Sequence, residues 1–465
     1  MGRASTPRQY VEMPNPATPT PNISCSGFAP PRNVKAISQL TAIFARPKLD
    51  APMRAHSEIR QIAGNHFRRL TRAGVVTLAL FCAASASFVA VSAENDQIVK
   101  GNTTFAFKLL QQLAKAQRGQ NIFISPYSIS SVLQILRNGA AGETRNELDQ
   151  ALGTGGMAET NLAKSYAEIA GALKGGTNLT LEIANSVWFA PNIQLRPEFE
   201  VLIRDFYGAR VGPLDFTDPR ATGVVNAWVS QNTHGKITQI LRGPLSGQTG
   251  AVVANAVYFK GTWLSRFDPA KTRSRPFKIA PDKEKQIPMM ENSGEFSYYG
   301  DRDLQIIRLP YLVRSVGMYI LLPSTNSSAE KLIGDLNRAT WSQNVVHRLT
   351  SEKGTIALPR FKLEYASELK SPLLSMGIRR AFSQQADFSS ASSGKLSLDR
   401  VIHKALLEID EEGTTAAAAT VGVATLSIHE PKNPFSMIVD HPFLCAICDN
   451  QTGTILFLGI VQDPD

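Results

Sequence analysis

Downstream of residue 93 the chain carries five histidines, His234, His347, His403, His429 and His441, and two cysteines, Cys445 and Cys448. Histidine and cysteine are among the side chains that general bases, activated nucleophiles and metal sites draw on most often. None of the histidines is spaced from carboxylates or cysteines as metal ligation demands. There is no H-E-x-x-H helix, no G-x-S-x-G nucleophile elbow and no glycine-rich phosphate loop. The C-x-x-C pair lies in the apolar run Phe443 to Cys448, where residues three apart on a strand point to opposite faces, so it reads as two buried structural thiols rather than a redox couple. The residues that could do chemistry thus point to no enzyme, no metal and no cofactor.

The function must then lie in how the elements are arranged. Phe105, Leu109, Leu110 and Leu113 recur at helical spacing within residues 103–115, and Ile129, Val132, Leu133 and Leu136 do so after Ser125-Pro126. A third helix, short and mixed in charge, is predicted from Gly142 to Leu152. Then the period changes. Leu181, Ile183, Val187 and Phe189 share one face of a predicted strand from Leu179 to Phe189, and Val252 to Phe259 is an almost unbroken apolar run. Further strands are predicted at Met318–Leu322, Thr355–Leu358, Lys404–Asp410, Phe443–Cys448 and Thr454–Val461, with helical patterns at Ala329–Leu336 and Glu368–Met376 between some of them. No internal repeat or linker divides residues 95–465, which read as one α+β domain, large for a single core and better suited to several packed sheets.

The net charge of +10 suggests a polyanion partner, but its distribution does not. Residues 1–93 hold 11 Lys and Arg against 3 Asp and Glu, which leaves 38 against 36 in the body. A nearly neutral body offers no basic face for nucleic acid. Residues 66–93 read as a signal peptide: Arg68, Arg69 and Arg72 precede the apolar run Val75 to Phe81, and small residues lead to a cleavage site after Ala93. That run is shorter than the roughly 18 residues of a spanning helix, so no membrane anchor is expected. Residues 1–65 precede it as a disordered or mis-assigned extension, since the Pro-, Ala-, Ser- and Arg-rich stretch 1–52 lacks any sustained apolar period. Cys25 and Cys82 would leave with this leader, and the two remaining cysteines make no disulfide framework.

One segment fits neither helix nor core strand. After Glu411-Glu412-Gly413 the chain reads TTAAAATVGVATLSIHEPKNP, with no large apolar residue before Leu426. Loops longer than about 15 residues are uncommon inside a domain and are usually functional or disordered. This one is held at both ends by predicted core strands. The surrounding sequence resembles the serpins, over essentially all of residues 97–462. The resemblance is carried by NIFISPYSISSVL (Asn121–Leu133), VNAWVSQNTHGKITQIL (Val225–Leu241), ANAVYFKGTWLSRF (Ala254–Phe267), LPRFKLEY (Leu358–Tyr365), HKALLEIDEEGTTAAAAT (His403–Thr420) and DHPFLCAICDNQTGTILFLGIV (Asp440–Val461).

The resemblance implies a serpin fold with three β-sheets, about nine helices and an exposed reactive-centre loop at about 411–434. It implies a serine-protease inhibitor in which the target cleaves the loop, is held as an acyl complex, and the loop's upstream half enters the largest sheet as a new strand. The residues meet the physical demands of that step. An entering strand must offer its backbone N–H groups and so must lack proline. Thr414 to Leu426 has none, and Pro431 and Pro434 lie downstream. Alternate side chains must turn inward and be small, as are Thr414, Ala416, Ala418 and Thr420.

The resemblance assigns the loop hinge to Glu411, Glu412, Gly413, Thr414, Thr415, Ala416, Ala417, Ala418, Ala419 and Thr420. It assigns a polar cluster beneath the parting strands, the shutter, to Ser125, Ser128, Asn185 and His403. The top of the sheet, the breach, falls to Trp263, Arg360 and Glu411, with Arg360 and Glu411 as an ion pair. Thr415 departs from the inhibitory pattern, which usually has Glu there. Counting from the hinge places the reactive bond at Ser427-Ile428, with Leu426-Ser427 as the alternative. These residues suit a chymotrypsin-, elastase- or subtilisin-like serine protease, and the nearest downstream base, Lys432, argues against a trypsin-like one. No Lys/Arg cluster marks Gly142–Leu152, so no heparin-type activator is expected. The expectation is a secreted, extracellular or periplasmic monomer; the alternative is a non-inhibitory serpin that binds, stores or chaperones.

Overall fold

The computed structural model describes residues 95–173, 178–247, 249–313, 315–413 and 434–464. The signal peptide and extension expected in residues 1–93, and residues 414–433 of the loop, lie outside them.

The opening helix, α1, runs over residues 95–116, longer at its start than the apolar spacing marks. After the short strand β1 (Ile122–Ile124), Ser125 caps α2 (Pro126–Gly139), its hydroxyl accepting the Ser128 N–H, and Pro126 fills the first turn, where no N–H is needed. All 14 residues of α2 are buried, so even its serines face protein. Next come α3 (Gly142–Leu152), α4 (Glu159–Leu173), β2 (Leu179–Phe189), α5 (Pro197–Leu202), β3 (Arg210–Pro213), α6 (Ala221–Asn232) and β4 (Ala251–Gly261). The strands β5 (Arg273–Ala280), β6 (Lys283–Gly300), β7 (Leu304–Pro310) and β8 (Val316–Pro323) form a meander. Helices α7 (Ala329–Asp335) and α8 (Arg338–Thr340) lead to β9 (Thr350–Pro359) and β10 (Phe361–Glu368), and α9 (Lys370–Ser375) leads to β11 (Leu398–Ile409). The chain ends with β12 (Phe435–Ile438), β13 (Phe443–Asp449) and β14 (Thr454–Val461).

The fold is α+β, with nine α-helices among the described residues. Its strands form two hydrogen-bonded networks. One has five strands in the order β10-β11-β4-β2-β3. The other has nine, and the 18-residue strand β6 is why it is one network rather than two. Its first part pairs with β5, its middle with β9, and from Ser297 it pairs with β7, so two sheets share one strand.

The larger apolar core fills the space between the networks and α2. A second, smaller core forms where α6 and the connection after it pack on the other face of the five-stranded sheet, through Val225, Val229, Ile237 and Leu241 against Trp188, Val252 and Leu406. Cys445 and Cys448 are free and buried in β13, and burial pushes the Cys445 thiol up to about 12 and Cys448 up as well. Neither is a thiolate at neutral pH, in keeping with structural roles.

Candidate functional site

At the middle of the five-stranded sheet lies a parallel pair. β4 and β11 run side by side from Leu398 opposite Ala251 to Leu407 opposite Phe259, while the outer neighbours β10 and β2 are antiparallel to them. A chain that leaves the end of β11 and turns back runs antiparallel to β11, and therefore also antiparallel to β4. Between these two strands it would replace one parallel ladder with two antiparallel ladders, which are the more stable per residue.

A row of polar side chains crosses this seam. The register sets Asn185 of β2 opposite Asn255 of β4, and Asn255 opposite His403 of β11. Asn255 Nδ2 donates to Asn185 Oδ1 and to Ser128 Oγ from α2 below. His403 Nε2 accepts the backbone N–H of Ser125 at 3.2 Å, so the ring proton sits on Nδ1, which donates to Asn255 Oδ1. Ser125 Oγ donates to the Leu456 carbonyl of β14 at 2.7 Å. All five side chains are buried. Desolvation lowers the His403 pKa to about 3, and the neutral ring is what the network needs, because it must donate once and accept once.

Four of these residues, Ser125, Ser128, Asn185 and His403, are those the family resemblance assigned to a shutter. Asn255 was missed. Its signal was present as a lone amide inside the apolar run Val252 to Phe259, a position that a buried strand gives to a polar residue only when it has partners.

At the top of the seam the chain turns sharply. Asp410 and Gly413 exchange backbone hydrogen bonds at 3.0 and 3.2 Å around Glu411 and Glu412. Gly413 has φ +122°, and a Cβ there would lie 2.3 Å from the Gly261 carbonyl oxygen and 2.6 Å from the Trp263 nitrogen, so no other residue fits unstrained. Trp263, stacked on Tyr311 with centroids 4.5 Å apart, anchors this turn. Its Nε1–H donates to the Asp410 carbonyl and its backbone N–H to that of Glu412, both at 3.0 Å. The Phe267 N–H donates to the Glu411 carbonyl at 2.9 Å.

Trp263, Glu411 and Arg360 are thus gathered at the end of β11. The Arg360–Glu411 pair is looser than the sequence suggested. Nη1 and Oε1 stand 3.7 Å apart with Arg360 half exposed, a contact worth little in water. The buried Glu411 carboxylate takes its short bond, 2.7 Å, from Thr272 Oγ1, a residue with no mark in the sequence. Glu411, Glu412 and Gly413 of the expected hinge are described. Thr414 to Thr420 and the expected reactive bond at Leu426, Ser427 and Ile428 lie outside the described residues. The chain reappears at β12, which pairs with β9.

Comparison with known proteins extends this geometry. The family model described as Serpin (serine protease inhibitor) matches residues 100–464. An uncharacterized serpin-like protein of Thermococcus kodakarensis is 36% identical over 377 residues, 79% of this chain and 86% of the relative. The leukocyte elastase inhibitor of Bos taurus is 34% identical over 392 residues, 79% of this chain and all, 100%, of that protein. Among solved structures, human thyroxine-binding globulin in complex with thyroxine superposes with TM-score 0.72 at 27% identity, covering 80% of this chain and 99% of that one.

Proposed function

The chain belongs to the serpin family, and from that premise we propose that it is a secreted suicide inhibitor of serine proteases. The observation that carries this reading is the parallel seam between β4 and β11, with a small, proline-free segment tethered at its upper end. The target's serine attacks the carbonyl of Ser427, or of Leu426, and forms an ester as the amine of the next residue departs. The freed upstream half turns back at Gly413 and enters the seam, parting Asn255 from His403, with the protease still attached. Seating the strand before water cleaves the ester leaves the enzyme trapped. Serpins are generally inhibitors rather than catalysts, and this chain's part in the chemistry is that of a substrate that moves.

The bait residues favour a chymotrypsin-, elastase- or subtilisin-like enzyme, in keeping with a relative named leukocyte elastase inhibitor. The signal-peptide pattern of residues 66–93 supports an encounter outside the cell or in the periplasm. Gel analysis of the purified chain against elastase, chymotrypsin, subtilisin and trypsin tests the reading, with a denaturant-resistant complex as the expected product. Thr414→Arg should convert the inhibitor into a substrate, because the first inward-turning side chain would bury an unpaired guanidinium at a cost of several kcal/mol. Thr415→Arg, facing solvent, is the control. Full trapping by Thr414→Arg would rule out loop insertion. The likeness to thyroxine-binding globulin supports a second reading, a non-inhibitory binding protein, which the absence of any complex in all four reactions would favour.

A further inference from the structure

β12 is an edge strand of the nine-stranded network. It pairs with β9 over only four residues, Phe435 to Ile438, and among the described residues no strand covers its other edge. Phe435 stacks on Tyr298 with centroids 3.8 Å apart at one end, and at the other the Val439 N–H donates to Ala357 at 2.9 Å. The chain then turns through Asp440 and His441 into β13.

His441 stands at that turn with both ring nitrogens facing acceptors. Nδ1 is 2.7 Å from Asp440 Oδ1, and Nε2 is 2.7 Å from the carbonyl oxygen of Pro323 at the end of β8. Neither partner has a proton to give, the one being a carboxylate and the other a proline carbonyl. Only the imidazolium, with a proton on each nitrogen, makes both bonds, and a neutral ring must point one lone pair at an oxygen. The side chain is 15% exposed, so water is a poor substitute.

We propose that His441 is a proton-operated clamp, whose imidazolium ties the end of β12 to the end of β8 and whose deprotonation loosens β12. Two charges act on the ring. The Asp440 carboxylate favours the cation, and Lys278 of β5, whose backbone N–H donates to the Asp440 carbonyl at 2.8 Å, opposes it. Burial, the largest influence, also works against the cation. The hydrogen bonds to Asp440 and Pro323 together with the Asp440 charge outweigh it, and the His441 pKa is raised above the ordinary histidine value. The matching effect on Asp440 is a lowered carboxyl pKa, with the His441 hydrogen bond as its first cause.

The sign follows. A histidine with a raised folded pKa adds stability that is whole below its ordinary value and lost as pH rises through the folded value. β12 is therefore held best at mildly acidic pH and released toward alkaline pH. The consequence rests on the inhibitor reading. β12 is the strand that follows residues 414–433, so what holds β12 fixes the downstream end of the loop. The clamp secures that end, and more firmly in acid.

Hydrogen exchange of residues 435–440 in the full chain tests the clamp without reference to inhibition. After correction for intrinsic rates, protection in the wild type should fall roughly tenfold between about pH 5.5 and about pH 8.5, as one charge-assisted hydrogen bond is lost. His441→Arg, which keeps charge and donors, should stay protected across the range, and His441→Gln should be less protected and flat. Equal pH slopes in all three proteins, or protection that falls toward acid, would overturn the proposal. An NMR titration of the wild-type His441 ring guards against a variant that fails to fold, since a midpoint at or below the ordinary value would overturn it as well. The titration of His403, at about 3, lies below this range.

Discussion

The buried His403 makes the seam acid-sensitive by a calculable amount. His403 is neutral in the fold with a pKa of about 3, against an ordinary 6.5. A histidine with a depressed folded value contributes stability that is present above its ordinary pKa and lost as pH falls toward the folded one. Between about pH 7 and about pH 4 the unfolded chain gains a proton at this position that the fold refuses, which removes about 3 kcal/mol. Roughly 370 ordered residues have an unfolding entropy of about 2.1 cal/mol/K each, so the loss corresponds to about 4 °C in melting temperature. The comparison is with His403→Gln, whose amide can still donate to Asn255 and accept from Ser125 but cannot titrate. Calorimetry of both proteins at the two pH values should show the wild type falling about 4 °C further than the variant. Parallel falls, within about 1 °C, would refute a neutral buried ring at the seam and the tautomer assigned to it.

Three other outcomes are expected. Gly413→Ala should lower stability by about 1–3 kcal/mol, because its Cβ meets backbone on the neighbouring strand and its φ is one that side chains avoid; an unchanged melting temperature would disprove the turn geometry. Nicking the loop should raise the melting temperature sharply as the upstream half adds a fully paired strand to the seam, and calorimetry showing no rise would mark a loop that cannot enter. Secreted protein should begin near Glu94, and N-terminal sequencing that recovers intact residues 1–52 would defeat the export reading.

The local period of the chain was enough to find most elements. Gly142–Leu152, Leu179–Phe189 and Thr454–Val461 begin and end where the apolar pattern does, because burial of one face or both is a property of residues adjacent in sequence. The reading of the hinge is local too: small side chains and the absence of proline are facts of adjacent residues, and Ser125, Ser128, Asn185 and His403 could be named from motifs alone. What the chain could not show was which residues meet across strands. Asn255 joins the polar row only because its register sets it between Asn185 and His403, partners that lie 70 and 148 residues away. Thr272 holds Glu411 in place of the expected Arg360 because folding brings residues 139 apart within 2.7 Å, at a depth where a hydroxyl can reach and the exposed guanidinium makes only a loose contact. The parallel direction of β4 and β11, which gives an incoming strand two antiparallel partners, is likewise a fact of topology. Periodicity reports which side of an element is buried; pairing and direction are set by contacts between distant segments, and only the tertiary structure decides them.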